Sequence, residues 1–220
     1  MIKNTTAKNV KANDVVTIAG RLTGDFAYSH ELGEKRFYEA NIKCDRLSGA
    51  EDIIPVFVSE DVICTEENYA GKLLCIKGQL RSRNQVVEDK RKLELFVSAN
   101  SIKVIDTIEP GINNNHVYLN GYICKKPIYR KTPLGREITD LFFAVNRPNG
   151  KSDYIPCVCW GKNAVLTGDF EVGDECVVEG RFQSREYEKK NDDGTTQTKV
   201  AYEVSIHNIK NLSKAVAEPA

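Results

Sequence analysis

The chain repeats itself about every 101 residues, and a duplication at that spacing means two copies of one domain of roughly 100 residues. Residues 36–60 align without a gap on residues 137–161, with Arg46, Gly49, Asp52, Ile54 and Pro55 recurring as Arg147, Gly150, Asp153, Ile155 and Pro156. Upstream, Val16 to Gly20 answers Val117 to Gly121; downstream, after a one-residue slip, Gly71, Gly78, Ser82 and Arg83 recur as Gly173, Gly180, Ser184 and Arg185. Each copy is long enough to bury a core without crosslinks or metal. The Pro-Gly and Asn cluster from Asp106 to Asn115 lacks apolar periodicity and reads as a linker. The expected division is therefore 1–110 for the first unit with its linker, 111–212 for the second, and 213–220 for a short tail.

The dominant local signal is strand. Val15 to Ile18, Phe37 to Cys44, Ile53 to Val58, Leu73 to Leu80 and Leu93 to Val104 are β-branched or alternating runs bounded by Gly, Asn and Asp. Val117 to Ile123, Thr139 to Val145, Tyr154 to Trp160, Glu175 to Gln183 and Val200 to Ile209 repeat them. Helix-compatible stretches, Asp61 to Tyr69 and Asn163 to Phe170, fall between the third and fourth strands of each copy. That order predicts an all-β chain of two tandem OB-folds, five-stranded Greek-key barrels, with a pair of other small β-barrels as the alternative.

Composition narrows the environment. No run of about 18 apolar residues exists and the N-terminus has no apolar core of a signal peptide, so a soluble cytoplasmic protein is expected, with no membrane partner. The seven cysteines are an odd number without any C-x-x-C pair, in apolar strand-like stretches, which favours free buried thiols over a metal site. Basic and acidic residues number 31 each, so a polyanionic partner needs a local basic groove.

Residues 116–209 resemble the bacterial single-stranded DNA-binding proteins. The resemblance is carried by five elements in order: an opening strand ending in Gly121, the turn Thr132-Pro133-x-Gly135, the run Phe143 to Pro148, the strand Asp153 to Trp160, and Glu179-Gly180-Arg181 followed by Ser184-Arg185-x-Tyr187. The first half resembles the family mainly through its match to the second. The family implies sequence-nonspecific binding and protection of single-stranded DNA in replication, recombination or repair, on a basic groove with aromatic faces for unstacked bases.

Parity along the third strand of the second half sends Tyr154, Pro156, Val158 and Trp160 to one face and Ile155, Cys157 and Cys159 to the other. Ile54, Val56 and Val58 of the first copy mark the latter as the core set. Tyr154 and Trp160 are then left outside a small barrel, where uncovered aromatics point to a partner. The resemblance places base-stacking platforms at both, against the alternative of cover by a neighbouring subunit or a helix. Tyr187 enters the long connection that turns near Asn191 to Gly194, a segment with which OB-folds close over oligonucleotides. Phe142 falls between the core positions Leu141 and Phe143 and is a further stacking or packing candidate. Arg130, Lys131, Arg136, Arg147, Lys162, Arg181 and Arg185 border the expected groove as phosphate contacts.

The first copy lacks these platforms: Tyr154 becomes Ile53, Trp160 becomes Ser59, Tyr187 becomes Gln85 and Phe142 becomes Asn41. Phe57, the counterpart of Val158, is a candidate replacement, and Arg21, Arg81, Arg83 and Lys90-Arg91-Lys92 keep a cationic lining. The expectation is a weaker or differently tuned strand binder with a larger structural share.

The family also implies four barrels per assembly, which two-barrel chains reach as a homodimer. Two features depart from it. The loop after Arg147-Pro148 shortens to Asn149 to Ser152, weakening a contact there. The chain closes eleven residues after Ile209 without the family's acidic tip, so partner recruitment through such a tip is not expected, and a specialised or mobile-element role is. No catalytic motif, cofactor fingerprint or metal-ligand spacing appears, with His30, His116 and His207 far apart, so no enzyme is expected. Two other readings stand beside DNA binding: a protein-interaction accessory of a primosome or recombination complex, with Trp160 in an interface, and an RNA-binding OB protein.

Overall fold

The computed structural model describes residues 13–87, 90–109, 114–190 and 194–215. The first copy supplies β1 (Asp14–Leu22), β2 (Ala27–Leu32), β3 (Lys35–Asp45), β4 (Glu51–Ser59), β5 (Leu73–Val87) and β6 (Lys90–Val104). The second supplies β7 (Asn115–Ile123), β8 (Ile128–Lys131), β9 (Glu137–Asn146), β10 (Ser152–Trp160), α1 (Lys162–Gly168), β11 (Glu175–Lys190) and β12 (Thr196–Asn211), followed by the short α2 (Leu212–Ala215). In the first copy β1 pairs with β5, β5 with β6, β6 in parallel with β4, β4 with β3, and β3 again with β1. The second copy closes the same ring through β7, β11, β12, β10 and β9. These are two OB-folds in one chain.

Repeated glycines permit the closure. A Cβ at Gly20 would lie 2.1 Å from the Lys43 carbonyl oxygen, and one at Gly121 2.3 Å from that of Ala144, where the first strand of each barrel crosses its ring-closing partner. Inside, Val16, Ile18, Ile42, Ile54, Leu74 and Leu80 fill one barrel, and Val117, Leu119, Phe143, Ile155, Phe182 and Val204 the other, all fully buried.

β2 and β8 are additional strands that pair only with β3 and β9, forming a hairpin arm beside each five-stranded ring. Two local expectations need correction. The stretch Asp61 to Tyr69 makes turns instead of a helix. Its Val62-Ile63-Cys64-Thr65 run disfavours helix, and Tyr69 is drawn inward by its amide bond to Asp25 and an edge contact with Phe26. Cys64 is exposed and Cys75 and Cys124 are half-buried, while Cys44, Cys157, Cys159 and Cys176 are buried; burial pushes the Cys44 thiol up to about 12 and that of Cys159 up to about 11. Part of the linker, and Asn191 to Asp193 at the hairpin tip, lie outside the described residues. Among the described residues no helix is long and apolar enough to cross a membrane.

The barrels join edge to edge. β1 and β7 pair antiparallel with Val16 opposite Val117, its own counterpart, so a pseudo-two-fold axis passes between them. Counterpart backbone bonds follow: Ala19 N–H donates to Asn114 and Asn120 N–H to Asn13, both at 2.7 Å. Two matching side-chain clusters flank this seam. Asp52, fully buried, accepts from Arg46 of its own barrel and from Arg181 and the Ser184 amide of the other, while the Ile53 amide donates to Ser184 Oγ. Asp153, likewise buried, accepts from Arg147, and across the seam from Arg81 and the Ser82 amide, while the Tyr154 amide donates to Ser82 Oγ. Burial disfavours the charge on Asp153, yet the bonds from Arg147, the Ser82 amide and Arg81 outweigh it and hold its carboxyl below the usual value.

Candidate functional site

β9 and β10 present the outer face of the second barrel. Pro156 stands opposite Phe142 and Tyr154 opposite Ala144, so Phe142 and Tyr154 are diagonal neighbours across the pair. Their rings stack with centroids 6.2 Å apart and planes within 13°. Lys125 Nζ sits 4.3 Å from the Phe142 centroid, a cation held on the face of the stack. Tyr154 is 45% exposed and Trp160 43%. Six residues of strand separate the two on one face, roughly 20 Å. Trp160 ends β10, where Gly161 at φ 56 turns the chain into α1, and no described residue makes a ring contact with the indole. Val158 points between them but is buried, flanked by β9 and β12 on either side, so only the taller rings reach solvent.

The seam helps to position this face. The bond from the Tyr154 amide to Ser82 Oγ is 2.8 Å long, so the first barrel's β5 fixes the backbone beneath the tyrosine. Sequence reasoning passed over Ser82 and Lys125. The recurrence of Ser82 as Ser184, outside any core position, was the available signal for the former; Lys125-Lys126 directly after β7 was the signal for the latter.

The remaining candidates divide. Arg147 and Arg181, expected among the phosphate contacts, are held in the seam on Asp153 and Asp52, because a fully buried carboxylate requires a cation at that place. Arg130 and Lys131 pair across the β8–β9 arm with Asp140 and Glu137 at 2.9 and 3.6 Å, exposed contacts that a competing phosphate can replace. Arg185 lies 3.7 Å from Glu203 and 6.0 Å from the Tyr187 ring. Lys162 and Arg136 form no ion pair with a described residue.

Tyr187, expected at the entry to the long connection, lies on the paired part of the β11–β12 hairpin. The β11–β12 hairpin crosses toward the first barrel, and Tyr187 lines an open groove there with Asn41, Pro55 and Phe57. On that barrel Phe57 is 5% exposed, edge-on to Phe96 at 4.6 Å, with the Arg83 guanidinium over both rings and paired to Glu94. Arg21 donates to the Gly71 carbonyl and Arg81 is in the seam, so the first barrel's cationic lining is largely engaged by its own chain. The side chains of Lys90 and Arg91 lie outside the described residues.

The profile of the single-strand binding protein family matches residues 114–212. Single-stranded DNA-binding protein 3 of Listeria innocua is 41% identical over 81 residues, covering 34% of this chain and 51% of that protein. The single-stranded DNA-binding protein of Fusobacterium nucleatum is 31% identical over 108 residues, 45% of this chain and 70% of that one. The chain spans about half the length of several of the curated relatives it matches. Among solved structures, the wild-type single-stranded DNA binding protein from Thermus aquaticus superposes with a TM-score of 0.70 at 21% identity, covering 95% of each chain, so the fold match takes in both barrels. With its second barrel matched by the profile and most of a curated relative aligned at 31% identity, the chain belongs to the single-strand binding protein family.

Proposed function

We propose that this protein binds single-stranded DNA without sequence preference and thereby protects exposed strands during replication, recombination or repair. The observation that carries the reading is the outward aromatic track of the second barrel: the stacked Phe142 and Tyr154 with Lys125 on their face, and Trp160 further along the same strand. Unstacked bases gain about 1 to 3 kcal/mol each on such rings, and any base fits because every base has a π-face. Phosphates find Lys125, Lys162, Arg136 and Arg185 beside the track, with Arg130 and Lys131 reachable by exchange of weak surface pairs. Arg147 and Arg181 act indirectly by holding the barrels in register. The role is binding rather than catalysis, and the two barrels divide between β6, which ends at Val104, and β7, which begins at Asn115. Two chains paired on a two-fold axis would supply four barrels, checked by the mass of the protein in solution.

Trp160 is the chain's single tryptophan and reports the contact directly. Titration with oligo-dT should quench its fluorescence strongly, with oligo-U and duplex DNA weaker. Rising salt should loosen the complex as condensed counterions are released. Unchanged emission together with no mobility shift would defeat the stacking assignment; preference for oligo-U would redirect it to RNA.

A further inference from the structure

We infer that the first barrel holds its own stretch of the single strand, in a groove that the second barrel's hairpin completes with Tyr187. The inference rests on the strand-binding reading and assigns a second contact surface to it. Asn41, Pro55 and Phe57 floor an open groove of about 1150 Å³ on the outer face of the first barrel. One wall is that barrel's own β5–β6 hairpin, at Gln85 and Lys92 to Leu95. The opposite wall is the second barrel's β11–β12 hairpin, where Tyr187 pairs in register with Lys199.

Three observations point to a strand of nucleic acid there. First, the barrel that lost all its platform residues receives an aromatic from its neighbour: Tyr187 lines the groove and is 38% exposed. Second, the floor is rigid and apolar. Phe57, 5% exposed, is packed against Phe96 with the Arg83 guanidinium over its ring, so it supports the floor from beneath and leaves Tyr187 as the exposed ring for a base. Third, the groove's charges are unequal in availability. Asp25 is taken by the amides of Phe26 and Tyr69, Glu94 by Arg83, and Glu39 accepts from Ser29 Oγ. Lys92, Lys189 and Lys199 form no ion pair with any described residue. Carboxylates held internally and lysines left open give a surface suited to a polyanion carrying planar groups.

The test uses the full chain and two oligo-dT lengths, one of about 10 nucleotides, within the range of a single barrel, and one of about 32, enough for two. The Lys92→Ala/Lys199→Ala variant should bind the short oligonucleotide as the parent does, with full Trp160 quenching. It should bind the long one at least about 10-fold more weakly, its salt slope reduced by about 0.7 for each lost phosphate contact. Photo-crosslinking of the long oligonucleotide substituted with iododeoxyuridine should label peptides containing Tyr187 and the first barrel's groove. Equal affinity of parent and variant for the long strand, or crosslinks confined to β9 and β10, would overturn the inference while leaving the Trp160 site intact. Failure of either length to quench Trp160 in the parent would instead remove the strand-binding reading itself.

Discussion

Replacing Asp14 by asparagine should stabilise the protein, and the gain should depend on pH. Asp14 and Asn115 are counterparts at the start of the paired strands β1 and β7. Asn115 satisfies both groups of its opposite residue: Oδ1 accepts the Phe182 N–H at 2.9 Å and Nδ2 donates to the Phe182 carbonyl at 2.6 Å. Asp14 makes only half of this arrangement. Its Oδ1 accepts the N–H of Leu80, the counterpart of Phe182, at 3.0 Å, while Oδ2 is buried without a hydrogen bond, 3.6 Å from Arg81 Nη1. With the residue 2% exposed, burial pushes the carboxyl up to about 7 from 3.8, against the opposing pull of the Leu80 amide and Arg81.

The sign follows from linkage. A folded-state value above the unfolded one contributes stability that is complete below about pH 4 and is lost as pH rises to about 7. A gap of about three units corresponds to about 4 kcal/mol at 1.36 kcal/mol per unit, an upper figure. Asparagine is neutral throughout and can donate to the Leu80 carbonyl as Asn115 does to that of Phe182. In urea unfolding at constant ionic strength, Asp14→Asn should therefore raise the midpoint at pH 8 by up to about 1.3 M, for a slope of about 3 kcal/mol per molar. The difference from the parent should shrink toward zero at pH 4. A variant no more stable at pH 8, or a difference that ignores pH, would refute the reasoning.

Trp160→Ala and Tyr154→Ala should each cost about 1 to 3 kcal/mol of affinity for a labelled oligo-dT in anisotropy titrations, while changes at Ser59 and Ile53 cost less. Arg147→Ala should lower stability by about 1.5 to 3 kcal/mol through the hydrogen bonds it removes from buried Asp153, with oligo-dT affinity within about twofold of the parent; a large affinity loss with unchanged stability would return this residue to the phosphate contacts. Gly121→Ala should destabilise by about 3 kcal/mol or more in thermal unfolding, since its Cβ would meet the Ala144 carbonyl oxygen at 2.3 Å.

The strand pattern and the barrel order were legible because alternation is a local property: Ile155, Cys157 and Cys159 face inward as their spacing required, and Tyr154 and Trp160 face out. The arms β2 and β8 escaped notice for the converse reason. Ile128 to Lys131 is exposed throughout and has no buried face to impose a period. Arg147 and Arg181 illustrate a different limit. A cation in a strand reads the same whether it awaits a phosphate or a buried carboxylate from another barrel, and only the fold brings Asp52 to Arg181 across 129 residues.

By itself the sequence determined that there are two copies of one barrel, which faces of their strands are core, and that the outer aromatics survive only in the second copy, because each of these follows from period and repeat. The tertiary structure decided what the repeated Arg, Asp and Ser residues are for. It also decided that Tyr187 lies against the first barrel. Those facts depend on how the two copies pair about a pseudo-two-fold axis, and contacts across such an axis have no periodicity along the chain.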